Sequence, residues 1–124
     1  MKLVICEKCK KIVEVLKDSA CPTKCCGEAM TELVPNTTDA ALEKHVPFVE
    51  IDGQKITVTV GETKHPMLDE HYIQWIFLET SLGVYRKPLT PGTDPKAVFC
   101  LSDGEKAIAA YEYCNLHGFW KKEL

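Results

Sequence analysis

No stretch of the chain approaches the roughly 18 consecutive apolar residues that a membrane-spanning helix requires. No excess of positive charge is available for nucleic acid either. The formal net charge is −3, whereas a partner of phosphate backbones needs a basic face. Met1-Lys2-Leu3-Val4-Ile5 meets Cys6-Glu7-Lys8 at once, which leaves no room for the apolar stretch of a secretory signal. A cytoplasmic protein is therefore expected. Internal repeats and low-complexity tracts are absent. So is an even cysteine count, the mark of a disulfide framework: there are seven, and in a reducing compartment cysteines at chelate spacing point to metal instead. Histidine is scarce, with only His45, His65, His71 and His117.

The distribution of these residues divides the chain. Five cysteines lie in the first 26 residues, the other two being Cys100 and Cys114, and the histidines avoid that first segment. With 124 residues, 45% of them hydrophobic, there is enough chain for one ordinary core. Residues 1–30 read as a small ribbon, with Ile12-Val13-Glu14-Val15-Leu16 as a β-prone run. A piece this short needs a staple. Pro35-Asn36-Thr37-Thr38-Asp39 reads as a linker.

Beyond it come short strands with turn signals between them. Val46–Ile51 and Gln54–Val60 flank Asp52-Gly53, a two-residue hairpin signal. His71–Thr80, Gly83–Leu89, Ala97–Leu101, Lys106–Tyr113 and Phe119-Trp120 follow. About seven such strands predict an antiparallel sandwich of immunoglobulin-like type. Frequent alanine leaves a helix open as the alternative over Glu105–Tyr113.

Cys6-x2-Cys9, then Cys25-Cys26 after fifteen residues, supplies four thiolates, a set that selects zinc or iron. Adjacent side chains normally diverge, so Cys25 and Cys26 can reach one ion only if the backbone bends there. Cys21 is a spare thiol; it could replace one of the pair, but beside Pro22 a free surface thiol is expected. In the body, His45 precedes Val46-Pro47 and His65 precedes Pro66, at stiff backbone. Cys114-Asn115-Leu116-His117-Gly118 places a thiolate and an imidazole on one tight loop ending in a permissive glycine. Cys100 is expected to be a buried small hydrophobe, Trp75 and Trp120 to be core, and the acids between 62 and 70 to be a solvated loop. Met30 and Met67 are ligands only on paper.

Together, Cys6-x2-Cys9-x15-Cys25-Cys26, Glu43-Lys44-His45-Val46-Pro47, His65-Pro66-Met67, His71 before Tyr72-Ile73-Gln74-Trp75-Ile76, and Cys114-Asn115-Leu116-His117-Gly118 resemble desulfoferrodoxin, the two-iron class of superoxide reductase. The resemblance spans essentially the whole chain, with Cys21 as the one departure. It implies an all-β protein: a desulforedoxin-like iron domain over 1–36 and a catalytic immunoglobulin-like sandwich over 37–124, assembled as a homodimer. It implies two iron ions per chain. One is held by Cys6, Cys9, Cys25 and Cys26; the other by His45, His65, His71 and His117 in a square, with Cys114 axial. Four neutral imidazoles and one thiolate would leave ferrous iron at a net charge of about +1, with one position open to an anion. The implied activity is one-electron reduction of superoxide to hydrogen peroxide, a defence against oxidative stress, with re-reduction by an outside donor such as rubredoxin. Glu43 is implied to cap the ferric ion and Lys44 to draw in superoxide and assist its protonation. An electron carrier, a zinc-stapled interaction protein and a superoxide dismutase are the rival readings.

Overall fold

The computed structural model describes residues 1–124, which form two compact units, Met1–Val34 and Pro35–Leu124. The first carries β1 (Leu3–Ile5), β2 (Ile12–Glu14), β3 (Lys24–Cys25), β4 (Glu28–Ala29) and β5 (Thr31–Glu32). β1 lies between β2 and β5, all antiparallel, and β3 pairs with β4. Leu3, Val4, Ile5 and Cys6 are buried.

The second unit begins with one helical turn, α1 (Leu42–His45), followed by β6 (Pro47–Asp52), β7 (Lys55–Val60), β8 (Ile73–Thr80), β9 (Val84–Pro88), β10 (Lys96–Cys100), β11 (Ala107–Cys114) and β12 (Gly118–Glu123). These seven strands make two antiparallel sheets, ordered β10-β7-β6 and β12-β11-β8-β9. The core lies between them. Ile56, Val58, Val60, Ala97 and Phe99 come from one sheet and Ile76, Leu78, Ala110 and Cys114 from the other. The immunoglobulin-like sandwich expected from the spacing is present.

Two local expectations change, at the hairpin and at Cys100, and two other readings are refined. The β6–β7 hairpin turns one residue later than Asp52-Gly53. Asp52 pairs with Lys55, so Gly53-Gln54 is the two-residue loop, with Gly53 at φ 59° supplying the positive angle its first position needs. Glu105–Tyr113 is not helical; β11 occupies it. The ambiguity has a physical cause, because both faces of β11 are buried and the apolar period of two is erased. Cys100 is exposed, since Ala97 and Phe99 hold the inward phase of β10. Asn36 is no free linker residue. Its N–H donates to the Phe119 carbonyl at 3.0 Å, and its side-chain amide exchanges two hydrogen bonds with Lys121 along β12.

Candidate metal centres

The cysteines of the first unit converge as their spacing predicts. The backbone N–H of Lys10, a residue at φ 64°, donates to the Cys6 carbonyl at 2.8 Å, which folds Cys6–Cys9 into a knuckle. Across the unit, Cys25 pairs with Glu28, leaving Cys26-Gly27 as a two-residue loop with both residues at positive φ, 53° and 77°. This is the mirror-image turn that such short hairpins favour, and it supplies the bend that neighbouring ligands require. The four sulfurs lie within 4.8 Å of one another. Cys9 Sγ is 3.6 Å from Cys25 Sγ, which is 3.9 Å from Cys26 Sγ. A tetrahedron of sulfurs about 2.3 Å from a central ion has edges of roughly 3.8 Å, so the set fits a metal. Backbone N–H groups of Cys9 and Lys8 bring the Cys6 thiol down to about 7. The sulfurs of Cys9, Cys6 and Cys25 push Cys26 up to about 12. Four thiols so close cannot all ionise without a cation between them. Cys21 is exposed and free.

The body cluster gathers on element ends and loops. His45 ends α1. The Glu43 carbonyl accepts the Thr63 N–H at 2.9 Å, and a Cβ at Gly61 would come within 2.7 Å of that same oxygen. Only glycine lets the two segments approach so closely. His65 closes the same loop by donating its N–H to the Val60 carbonyl at 3.0 Å. His71 sits on a tight turn, its backbone bonded in both directions to Leu68. Cys114 and His117 come from the β11–β12 connection.

A bulge prepares this end of the sheet. Tyr113 pairs with Trp75 and Cys114 with Ile73, skipping Gln74, so Ile73 and Cys114 both turn inward. Bulges commonly re-aim side chains beside active sites.

The four imidazoles form a closed circuit. Ring centroids are 4.7 Å apart for His45–His65, 4.7 Å for His65–His71, 5.0 Å for His71–His117 and 4.8 Å for His117–His45, each edge to face. Potential ligand atoms of His45, His65, Cys114 and His117 all lie within 4.8 Å of one another, with His71 outside that tightest group. His65 donates from Nδ1 to the Pro66 carbonyl at 2.7 Å, and its Nε2 is buried with no partner, as is Nε2 of His71. Partnerless buried nitrogens are costly, and a metal would satisfy them. His117 turns Nδ1 toward Cys114 Sγ at 3.9 Å.

Electrostatics suit a cation that binds neutral imidazole. Burial, then the neighbouring His65, His117 and His71 rings, brings His45 down to about 4; burial also brings His65 to about 4 and lowers His71. Lys44 adds to the depression of all three, so its charge reaches the cluster although its side chain is exposed. Burial raises the Cys114 thiol, while the N–H groups of Leu116 and His117 oppose that shift. Glu43 is exposed and lines a groove of about 520 Å³ with Leu42, Phe48, Glu62 and Leu124. Met67 is spent elsewhere, its sulfur accepting the Ile73 N–H at 3.4 Å.

Sequence reasoning passed over two residues. Asn115 accepts the Tyr72 N–H and donates to the Glu70 carbonyl, each at 2.9 Å, tying the Cys114–His117 loop to the turn that carries His71. Glu112 is fully buried, with His45 Nδ1 3.5 Å from its Oε1. A lone acid two residues before Cys114 in an aromatic strand shares its face by period two, and that signal was legible.

A family model, Desulfoferrodoxin, matches residues 37–123. The desulfoferrodoxin of Syntrophotalea carbinolica is 48% identical over 118 residues, covering 95% of this chain and 92% of that protein. The desulfoferrodoxin of Nitratidesulfovibrio vulgaris is 45% identical at the same coverage. Among solved structures, the superoxide reductase of Treponema pallidum superposes with a TM-score of 0.82 at 35% identity, covering 98% of both chains. The one-iron superoxide reductase of Giardia intestinalis superposes at 0.56 with 37% identity, covering 66% of this chain and 99% of its own.

Proposed function

The chain belongs to the desulfoferrodoxin family, and on that premise we propose that it is a superoxide reductase working at the ring of four histidines beside Cys114. That ring carries the reading: imidazoles from four separate segments close into one circuit, with the Cys114 sulfur within 4.8 Å of ligand atoms of His45, His65 and His117. His45, His65, His71, His117 and Cys114 would hold a catalytic iron. Cys6, Cys9, Cys25 and Cys26 would hold a second. The division into an iron-binding head over 1–36 and a catalytic body over 37–124 is supported by the family model's beginning at residue 37.

Bound in the body, iron supplies the single electron by which superoxide and two protons become hydrogen peroxide. The protein supplies the rest. Burial keeps His45 and His65 neutral at physiological pH, so their lone pairs are free for metal without a proton to expel. The N–H groups of Leu116 and His117 favour the charged form of the Cys114 sulfur. Lys44 holds a positive charge where an anionic substrate arrives, and its ammonium has protons to share. Glu43, on the same turn, is proposed to bring its carboxylate over the site once product has formed and help it leave.

An outside donor, for which rubredoxin is the family's example, would restore the electron. Assembly as a homodimer is proposed from the same resemblance. Five of the seven cysteines are assigned to metal rather than to disulfides, which supports a reducing compartment, the cytoplasm. No helix is long and apolar enough to cross a membrane.

Metal analysis of the purified chain, with peroxide yield, tests the reading. Two irons per chain are expected, with one peroxide formed per superoxide consumed while reductant lasts. Dismutation would give half that yield with no reductant. Zinc in the body site and no superoxide consumption would overturn the assignment.

A further inference from the structure

Glu112 and Trp120 face each other directly across β11 and β12. Both are fully buried on the core side, and both meet the same imidazole. The Trp120 indole stacks on His45 with centroids 5.0 Å apart and planes 14° from parallel. Its Nε1–H donates to the His117 carbonyl at 3.0 Å, so one side chain touches two of the four histidine positions.

Glu112 has no hydrogen-bond partner on either oxygen, and His45 Nδ1 has none either, yet they lie 3.5 Å apart. A buried carboxyl group without a partner is costly for a core to hold. The apolar neighbours Ala110 and Cys114 on the same face give no reason for an acid there. The two nitrogens of an imidazole point apart. With Nδ1 turned to Glu112, Nε2 is left for the cluster. Once Nε2 gives its lone pair to a metal, Nδ1 must carry the ring proton and needs an acceptor, and a movement of about half an ångström would bring Glu112 into hydrogen-bond range. Carboxylates serve ligand histidines in this way in many metal sites.

We propose that Glu112 and Trp120 form a buried clamp that fixes the tautomer and the ring plane of His45. The clamp rests on the metal-site reading above and extends it to two positioning residues. It has a structural purpose. His45 arrives on a single helical turn whose N-cap residue, Ala41, makes no side-chain hydrogen bond, whereas Cys114 and His117 stand on a well-paired hairpin. The clamp passes the rigidity of that hairpin to a ligand carried on one short helical turn.

The test uses the full chain loaded with zinc, a diamagnetic ion that accepts the same ligands, and reads imidazole nitrogen and proton resonances together with zinc affinity by chelator competition. In the unaltered chain, a slowly exchanging His45 Nδ1–H is expected. Glu112→Gln keeps an acceptor, so the signal should persist but move upfield, with affinity nearly kept. Glu112→Leu should lose the signal and weaken zinc at the histidine site by roughly 10–100-fold. Trp120→Phe should retain the ring position better than Trp120→Leu. A purely structural role would lower unfolding temperatures while leaving the His45 signals in place, and that result overturns the clamp. If Glu112→Leu does not fold, an unshifted signal in Glu112→Gln overturns it equally. Failure of zinc to perturb any histidine signal in the unaltered chain would defeat the metal-site reading itself, a separate outcome.

Discussion

In the head, the residues that would bind metal are also what organises the chain. Its strands are two or three residues long, and the two bends that matter, at Lys10 and at Cys26-Gly27, serve to bring sulfurs together. In the body the order is reversed. Two sheets close on a core of their own, and the histidines ride on a short helical turn and on loops at one end of it. A unit without enough core takes its stability from the ion. A unit with a full core can place ligands for chemistry and leave stability to the strands. The same kind of ion would thus be a fastening in one region and a reagent in the other.

The largest effect should come from Cys114→Ser. If the sulfur is a ligand of the reacting ion, its loss should abolish the thiolate-to-iron absorption and cut superoxide reduction by more than the roughly 10–100-fold usual for losing a residue that merely supports a ligand. Far-ultraviolet circular dichroism should be unchanged, because Cys114 is one small residue in a large core. An unaltered ferric spectrum would remove Cys114 from the site. Next comes Cys9→Ser in the head. Here the fold should suffer and the chemistry should not: the head loses its metal and its amide protection in hydrogen exchange, while body-catalysed reduction stays near its original rate. Loss of reduction in a variant whose body still holds iron would erase the contrast between the regions.

The regions also differed in how readily the sequence disclosed them. The head was legible because its cysteine spacing is a statement about geometry, and even the bend at Cys25-Cys26 followed from two neighbours having to converge. The histidine cluster was legible only by resemblance, since His45, His65, His71 and His117 are far apart in the chain and no local period joins them. Strand spacing gave the sandwich. It could not place β11 with certainty, because a strand buried on both faces loses the alternation that marks it. Glu112 was readable by its period-two spacing from Cys114 and was passed over among the aromatics around it. The hydrogen bonds of Asn36 were not legible, because turn-forming composition says nothing of a tertiary partner.

Lys44→Ala should have an intermediate effect, confined to the body. The chain as a whole is net negative, so its overall field does not favour an incoming anion. Lys44 is the cation whose charge is felt at His45, His65 and His71. Local focusing of this kind raises association rates by roughly 10 to 10³. The bimolecular step, followed by pulse radiolysis, should slow by about tenfold and lose salt dependence, whereas Lys44→Arg keeps the charge and most of the rate. Equal rates and equal salt slopes would assign Lys44 to the solvated surface.

The smallest effect should be on stability alone, at a residue that belongs to neither metal cluster, and it probes whether the body stands without its ion. Glu105 is held at the end of the sandwich by the Thr80 hydroxyl, the Ser102 N–H at 2.9 Å and the Tyr85 hydroxyl at 3.0 Å. Hydrogen bonds from Thr80 first, then Ser102, keep its carboxyl below the usual glutamate value. A carboxyl depressed on folding contributes stability above its unfolded pKa of about 4.3 and loses that contribution as pH falls through the lower folded value. Glu105→Gln keeps the shape and removes the charge. At neutral pH it should melt several degrees below the original chain, with reduction rate and iron content unchanged. As pH falls through that lower folded value the two melting temperatures should converge, because the original carboxyl is then protonated as well. The measurement is best made after a chelator has stripped both sites. If the body is self-supporting, the difference at neutral pH should survive metal removal while the head's transition disappears. A body that also collapses on metal removal would show that its ion, like the head's, is a fastening, and the distinction between the two regions would fail.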